Sequence, residues 1–182
     1  MSKPWRELVD VPSGINTLCS PARVSTMLKV FGQPEGKLTT VCGGKDRVSA
    51  KLRPMIVTKD VGPFKLTGYD KFLAVLADVF YEFKQKHPEQ YKDLSTAGCL
   101  CVRLVRGSNH QPSNHCWGTA IDLGFNKVVD NRGDGLCYAG LLDLYAIAKR
   151  YGLYWGAGFG REDAMHFEAS DELIRKWGGE GL

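Results

Sequence analysis

Apolar residues recur along the chain at two spacings, and each spacing predicts a different kind of element. Val24, Met27, Leu28 and Phe31 fall on one helical stripe between Ser20-Pro21 and Gly32. A serine cap, a proline at the first helical position and a glycine stop predict a first helix there. Phe72, Val75, Leu76, Val79, Phe80 and Phe83 form a longer stripe. It predicts a core helix from about Asp70 that ends before Pro88, because the residue ahead of a proline avoids helical backbone. Leu141, Leu144, Tyr145 and Ala148, closed by Gly152, predict a third helix, and Ser170 caps a last short one that stops at Gly178-Gly179.

Short runs rich in β-branched and aromatic residues predict strands at 55–58, 64–67, 100–105, 119–123, 153–155 and 165–168. Between Gly32 and Arg53 the glycines and scattered charge read as loop with at most a short hairpin, and the stretch 130–135, DNRGDG, reads as a polar loop. Strands and helices in this mixture predict an α+β fold, a small and mainly antiparallel sheet with helices packed on one face. The 182 residues suit one domain spanning 1–182.

A content of 43% hydrophobic and 24% charged residues excludes a disordered chain. The net charge of +4 favours approach to an anionic polymer without naming one. No basic block is interleaved with aromatics, so nucleic acid is not an expected partner. No apolar run reaches the length of a signal peptide or of a membrane span. The expectation is a monomer made in the cytoplasm. Cys19, Cys42, Cys99, Cys101, Cys116 and Cys137 lack the paired spacing of a structural zinc site. They read as reduced, packed thiols, with disulfides as the alternative if the protein works outside the cytosol.

A catalytic zinc takes three histidine or carboxylate ligands and leaves one position open. His115 and His166 sit among glycines, tryptophans and polar residues, whereas His87 precedes Pro88 at a helix end. His115 and Asp122 can converge from a loop and the following strand, with Gly118 letting the chain turn between them. The same spacing also suits a buried histidine hydrogen-bonded to a carboxylate. The wider pattern adds to this. SNHCWGTAIDL at 113–123, with DAMHFE at 163–168, resembles the signature of the D-alanyl-D-alanine carboxypeptidase and L-alanyl-D-glutamate endopeptidase family of zinc peptidases. That signature is Ser-x-His-x6-Asp followed by Asp or Glu-x-x-His; Ser113, His115, Gly118, Ala120, Asp122, Asp163 and His166 fall on its positions. The resemblance covers about 103–170.

The resemblance implies a zinc cleft in which His115, Asp122 and His166 hold Zn2+ and Asp163 is the general base. It also implies an arginine ahead of the Ser-x-His segment that stabilises negative charge on the substrate carbonyl. Arg106 is preferred to Arg103, because on a strand over 100–105 it would emerge at the sheet's end. Ser113 is expected to orient a ligand or touch substrate, Glu162 to lie at the surface or support the site, and Cys116 to point away. Trp117, Trp155 and Phe167 are expected to pack rather than to stack on sugars.

The implied activity is hydrolysis of peptidoglycan stem peptides, as in phage endolysins, with action on the cell wall after lysis or delivery by another system. The shorter carboxylate at the base position associates the chain with cleavage between L-alanine and D-glutamate. The alternative is D-alanyl-D-alanine carboxypeptidase activity, which needs a cation for the terminal carboxylate; Arg103, Arg132 and Arg161 can each supply one. Two readings from other classes are a zinc-containing binding module without catalysis, as in the similar Hedgehog signalling domain, and a thiol protein built on Cys99-x-Cys101.

Overall fold

The computed structural model describes residues 3–179; the outermost positions of the expected single domain, 1–2 and 180–182, lie outside the described residues. Helices and small antiparallel sheets make an α+β fold, as the sequence predicts. In chain order the elements are β1 (Leu8–Asp10), α1 (Val24–Phe31), β2 (Ile56–Asp60), β3 (Lys65–Tyr69), α2 (Asp70–Lys86), α3 (Pro88–Asp93) and β4 (Leu94–Gly98). They continue with β5 (Ala120–Phe125), β6 (Val128–Val129), β7 (Leu136–Tyr138), α4 (Ala139–Ala148), β8 (Leu153–Trp155), β9 (His166–Ala169) and α5 (Asp171–Trp177). β1 pairs with β7 and β2 with β3, while β4, β5, β9 and β8 lie side by side in that order and β6 pairs with β5. Every one of these pairings is antiparallel.

α2 carries the core stripe: Phe72, Leu73, Leu76, Val79, Phe80 and Phe83 are buried. Trp117, Trp155 and Phe167 are also fully buried, and the two indoles donate to the carbonyls of Gly32 and Ala164. These aromatics pack, as expected. Gly118 turns the chain into β5 with φ +63, and a Cβ there would stand 2.8 Å from the backbone of Gly68 and Tyr69. No other residue fits that approach without a backbone shift.

Several expectations are corrected. α1 begins at Val24 and its N-cap is Arg23, not Ser20. The N–H groups of Ser20, Ala22 and Arg23 donate instead to the carboxylates of Glu172, Glu168 and Asp171, which holds this stretch extended along the C-terminal segment. Pro88 ends α2 but also opens α3 at a first-turn position, where its missing N–H costs nothing.

The segment 100–105 is not a strand. Its backbone is divided among several neighbours: Leu100 N–H donates to Thr67, Cys101 N–H to His115 and Leu104 N–H to Thr39, while Val102 bridges Gly43 and Leu104 bridges Pro112. β4, which ends at Gly98 just before Cys99, takes the place beside β5. Between Gly32 and Arg53 a short 3-10 turn, Lys45–Arg47, stands where a hairpin was allowed. Cys42 and Cys101 form a disulfide, so the expectation of six reduced thiols fails; Cys19, Cys99, Cys116 and Cys137 remain free. Among the described residues no helix is long and apolar enough to cross a membrane.

Candidate metal centre

Two neighbouring strands and one turn bring the predicted ligands together. In the β5–β9 pairing Asp122 stands opposite His166, and Ala120 opposite Glu168. Side chains two apart on a strand share a face, so His166 and Glu168 both reach the Asp122 side. His115 comes from the 3-10 turn Asn114–Trp117, whose N-cap Ser113 accepts the His115 N–H and whose exit is Gly118. Ser113 thus shapes the turn that presents His115.

His115 Nε2 and His166 Nδ1 each lie 3.2 Å from Asp122 Oδ1. One atom from each of the three residues falls within 4.8 Å of the others. The far nitrogens are engaged: His115 Nδ1 is 2.7 Å from the Cys99 carbonyl, and His166 Nε2 is 2.7 Å from Glu168 Oε2. A carbonyl and a carboxylate only accept, so each far nitrogen carries a proton and each inner nitrogen of a neutral ring is a lone pair. Three electron-pair donors therefore converge.

Such a set suits a cation. Burial works against the His166 imidazolium, but its hydrogen bonds to Asp122 and Glu168 prevail and push its pKa up to about 10. Burial likewise opposes ionisation of Asp122, yet the charge and hydrogen bonding of His115 and His166 hold its pKa well below the usual carboxylate value. The donor set, the open geometry and the fixed tautomers fit a divalent metal with borderline-soft preferences, such as zinc.

Glu168 was not singled out from the sequence. It is 1% exposed and fully partnered: Oε1 accepts Ala22 N–H, and Oε2 accepts from Asn114 and His166. Its place two residues after His166 on a predicted strand was the available signal, since that spacing puts the two on one face.

Asp163 lies in the same cleft but outside the ligand group. Its Oδ2 is 2.8 Å from Arg132 Nε. That N–H is not aimed along the contact, so it forms a charge pair rather than a hydrogen bond, and Asp163 Oδ1 is buried with no hydrogen-bond partner among the described residues. Burial pushes the Asp163 pKa up, against the pull of His166 and Arg132. Glu162 supports a loop: its carboxylate accepts from the N–H groups of Gly133, Gly135 and Ala164.

The two predicted arginines separate. Arg103 is half-buried, donates to the Leu104 carbonyl, and has its pKa lowered by burial and by Arg106 against the attraction of Asp122. Arg106 is exposed at the rim of the same cleft, whose volume is about 450 Å³. The expected strand face that would have aimed Arg106 does not exist, because 100–105 is irregular. Cys116 points its thiol at the Arg103 carbonyl, away from the ligand group. Cys99 is separated from Cys101 by the latter's bond to Cys42, so the two do not form a dithiol.

Residues 106–169 match a family model described as D-alanyl-D-alanine carboxypeptidase. The match spans the whole cluster from Arg106 through His166 and Glu168, and supports the peptidase resemblance carried by the Ser-x-His and Asp-x-x-His segments. No curated protein matches the chain.

Proposed function

We propose that the chain is a single-domain zinc peptidase that hydrolyses peptidoglycan stem peptides, with His115, Asp122 and His166 as the metal ligands. The observation that carries this reading is the pair of outer hydrogen bonds, His115 to Cys99 and His166 to Glu168, which turn both free nitrogens onto Asp122. A neutral structural histidine donates through one nitrogen and needs one acceptor. Here two rings each have an acceptor behind them and turn the second nitrogen to the same Asp122 oxygen, an arrangement that suits metal ligands, whose outer acceptors fix the tautomer and raise the basicity.

Zinc in this site supplies Lewis acidity toward the scissile carbonyl and activates water for attack. Asp163, whose Oδ1 has no hydrogen-bond partner among the described residues, accepts the proton released in the attack and returns it to the leaving amine. Arg103, half-buried in the lining of the same cleft, is the arginine assigned to stabilise negative charge on the carbonyl oxygen. Arg106, at the exposed rim, meets substrate farther from the reacting atoms.

The proposed bond is that between L-alanine and D-glutamate, on the association of a short carboxylate, Asp163, with endopeptidases. A D,D-carboxypeptidase is the second reading, favoured by the description of the matched family. Mass spectrometry of digested pentapeptide muropeptides separates them. Release of L-alanine from the rest of the stem supports the endopeptidase; loss of one D-alanine with that bond intact supports the carboxypeptidase. A protein that binds zinc and leaves purified peptidoglycan uncut is a binding module instead.

A further inference from the structure

We propose that Arg132 is a positioning residue for Asp163, delivered by the loop 130–135 so that its guanidinium holds one carboxylate oxygen and leaves the other free to take a proton. The inference rests on the reading of Asp163 as the base.

The loop is tied at both ends. Asp130, buried at its start, accepts the N–H groups of Asn131 and Tyr138, which closes the base of the loop where β7 ends. At the tip, Gly133 and Gly135 have φ of +80 and +76 and turn their N–H groups onto Glu162 Oε2. Glu162 Oε1 meanwhile accepts the N–H of Ala164. One side chain therefore fastens the loop to the backbone on the far side of Asp163, and Arg132 reaches Asp163 Oδ2 from that loop. Adjacent residues, Glu162 and Asp163, are thus both gripped by the same six-residue stretch.

Gly133 sets the geometry. A Cβ there would stand 3.1 Å from Arg161 Nε, at a backbone angle that side chains rarely adopt. The consequence for Asp163 follows from its surroundings. A carboxylate pivots about its terminal torsion with little preference, so a half-buried one facing a cleft needs a partner to keep one oxygen in a fixed place. Arg132 provides that partner at Oδ2, and Oδ1 is left without any among the described residues. Arg132 is accordingly occupied with the base and not with a substrate carboxylate.

The test compares kcat and KM of zinc-loaded Arg132→Gln, Arg132→Lys and Asp163→Asn on peptidoglycan stem pentapeptide, with zinc content measured for each. Arg132→Gln is expected to lower kcat about 10- to 100-fold, the scale of a misplaced catalytic group, with KM and zinc nearly unchanged. Arg132→Lys should recover part of that loss, because a charge remains. Combining Arg132→Gln with Asp163→Asn should be no worse than Asp163→Asn alone. Gly133→Ala, which disturbs the loop and spares the guanidinium, should lower kcat in the same direction and stands in if Arg132→Gln does not fold. A raised KM with kcat intact in Arg132→Gln would make Arg132 a substrate contact and overturn the proposal, as would wild-type kinetics beside an inactive Asp163→Asn. If Asp163→Asn is itself fully active, the base assignment fails, and the proposal with it.

Discussion

Asp122 and His166 face each other across the β5–β9 pairing, and Asp122 Oδ1 stands 3.2 Å from both His166 Nδ1 and His115 Nε2. One carboxylate oxygen is the meeting point of two imidazoles from different parts of the chain. The strand register fixes half of this arrangement, and the tight turn at Gly118 fixes the other half.

The first prediction concerns Glu168, which holds His166 from behind. Glu168→Gln should weaken zinc binding by about 10- to 100-fold, the usual effect of removing an outer partner of a metal ligand. His166→Ala, which removes the ligand itself, should leave the purified protein without zinc. Competition with a chromogenic chelator measures both. Equal affinities for wild type and Glu168→Gln would show that the hydrogen bond to Glu168 does not tune the site.

Asp163 should behave differently from the ligands. Asp163→Asn keeps the size of the side chain and removes the proton acceptor, so activity should fall by about 10²- to 10⁴-fold with one zinc still bound. Elemental analysis alongside stem-peptide hydrolysis checks the pair of outcomes. Loss of zinc in this variant would place Asp163 among the ligands.

The bond between Cys42 and Cys101 joins the loop 39–43 to the segment that presents the Cys99 carbonyl to His115. Of the six cysteines, four should react with a thiol reagent in the unfolded, unreduced protein. Cys101→Ser should lower stability by about 4 kcal/mol, as expected for a closed loop spanning a sequence separation of 59. Equilibrium denaturation measures the change, and six reactive thiols would rule the bond out.

Much of this was legible in the sequence for a physical reason: periodic apolar stripes are read one element at a time. The helices around Phe72 to Phe83 and Leu141 to Ala148 stand where their stripes place them, and so does the strand that carries Asp122. Relations between distant residues were not legible. The segment 100–105 has the composition of a strand but spreads its hydrogen bonds over several separate partners. Ser20-Pro21 has the form of a helix start, yet distant carboxylates hold its neighbours extended. In the site, the motif pointed to His115, Asp122, Asp163 and His166, whereas the grip of Arg132 on Asp163 depends on a loop closing over another loop, which no local spacing encodes.

The most direct measurement is zinc titration of chelator-treated protein, followed by its rate of stem-peptide hydrolysis. With His115, Asp122 and His166 as ligands, activity should be absent without metal and should rise in proportion to added zinc up to one equivalent per chain. Hydrolysis at full rate by metal-free protein would contradict the account.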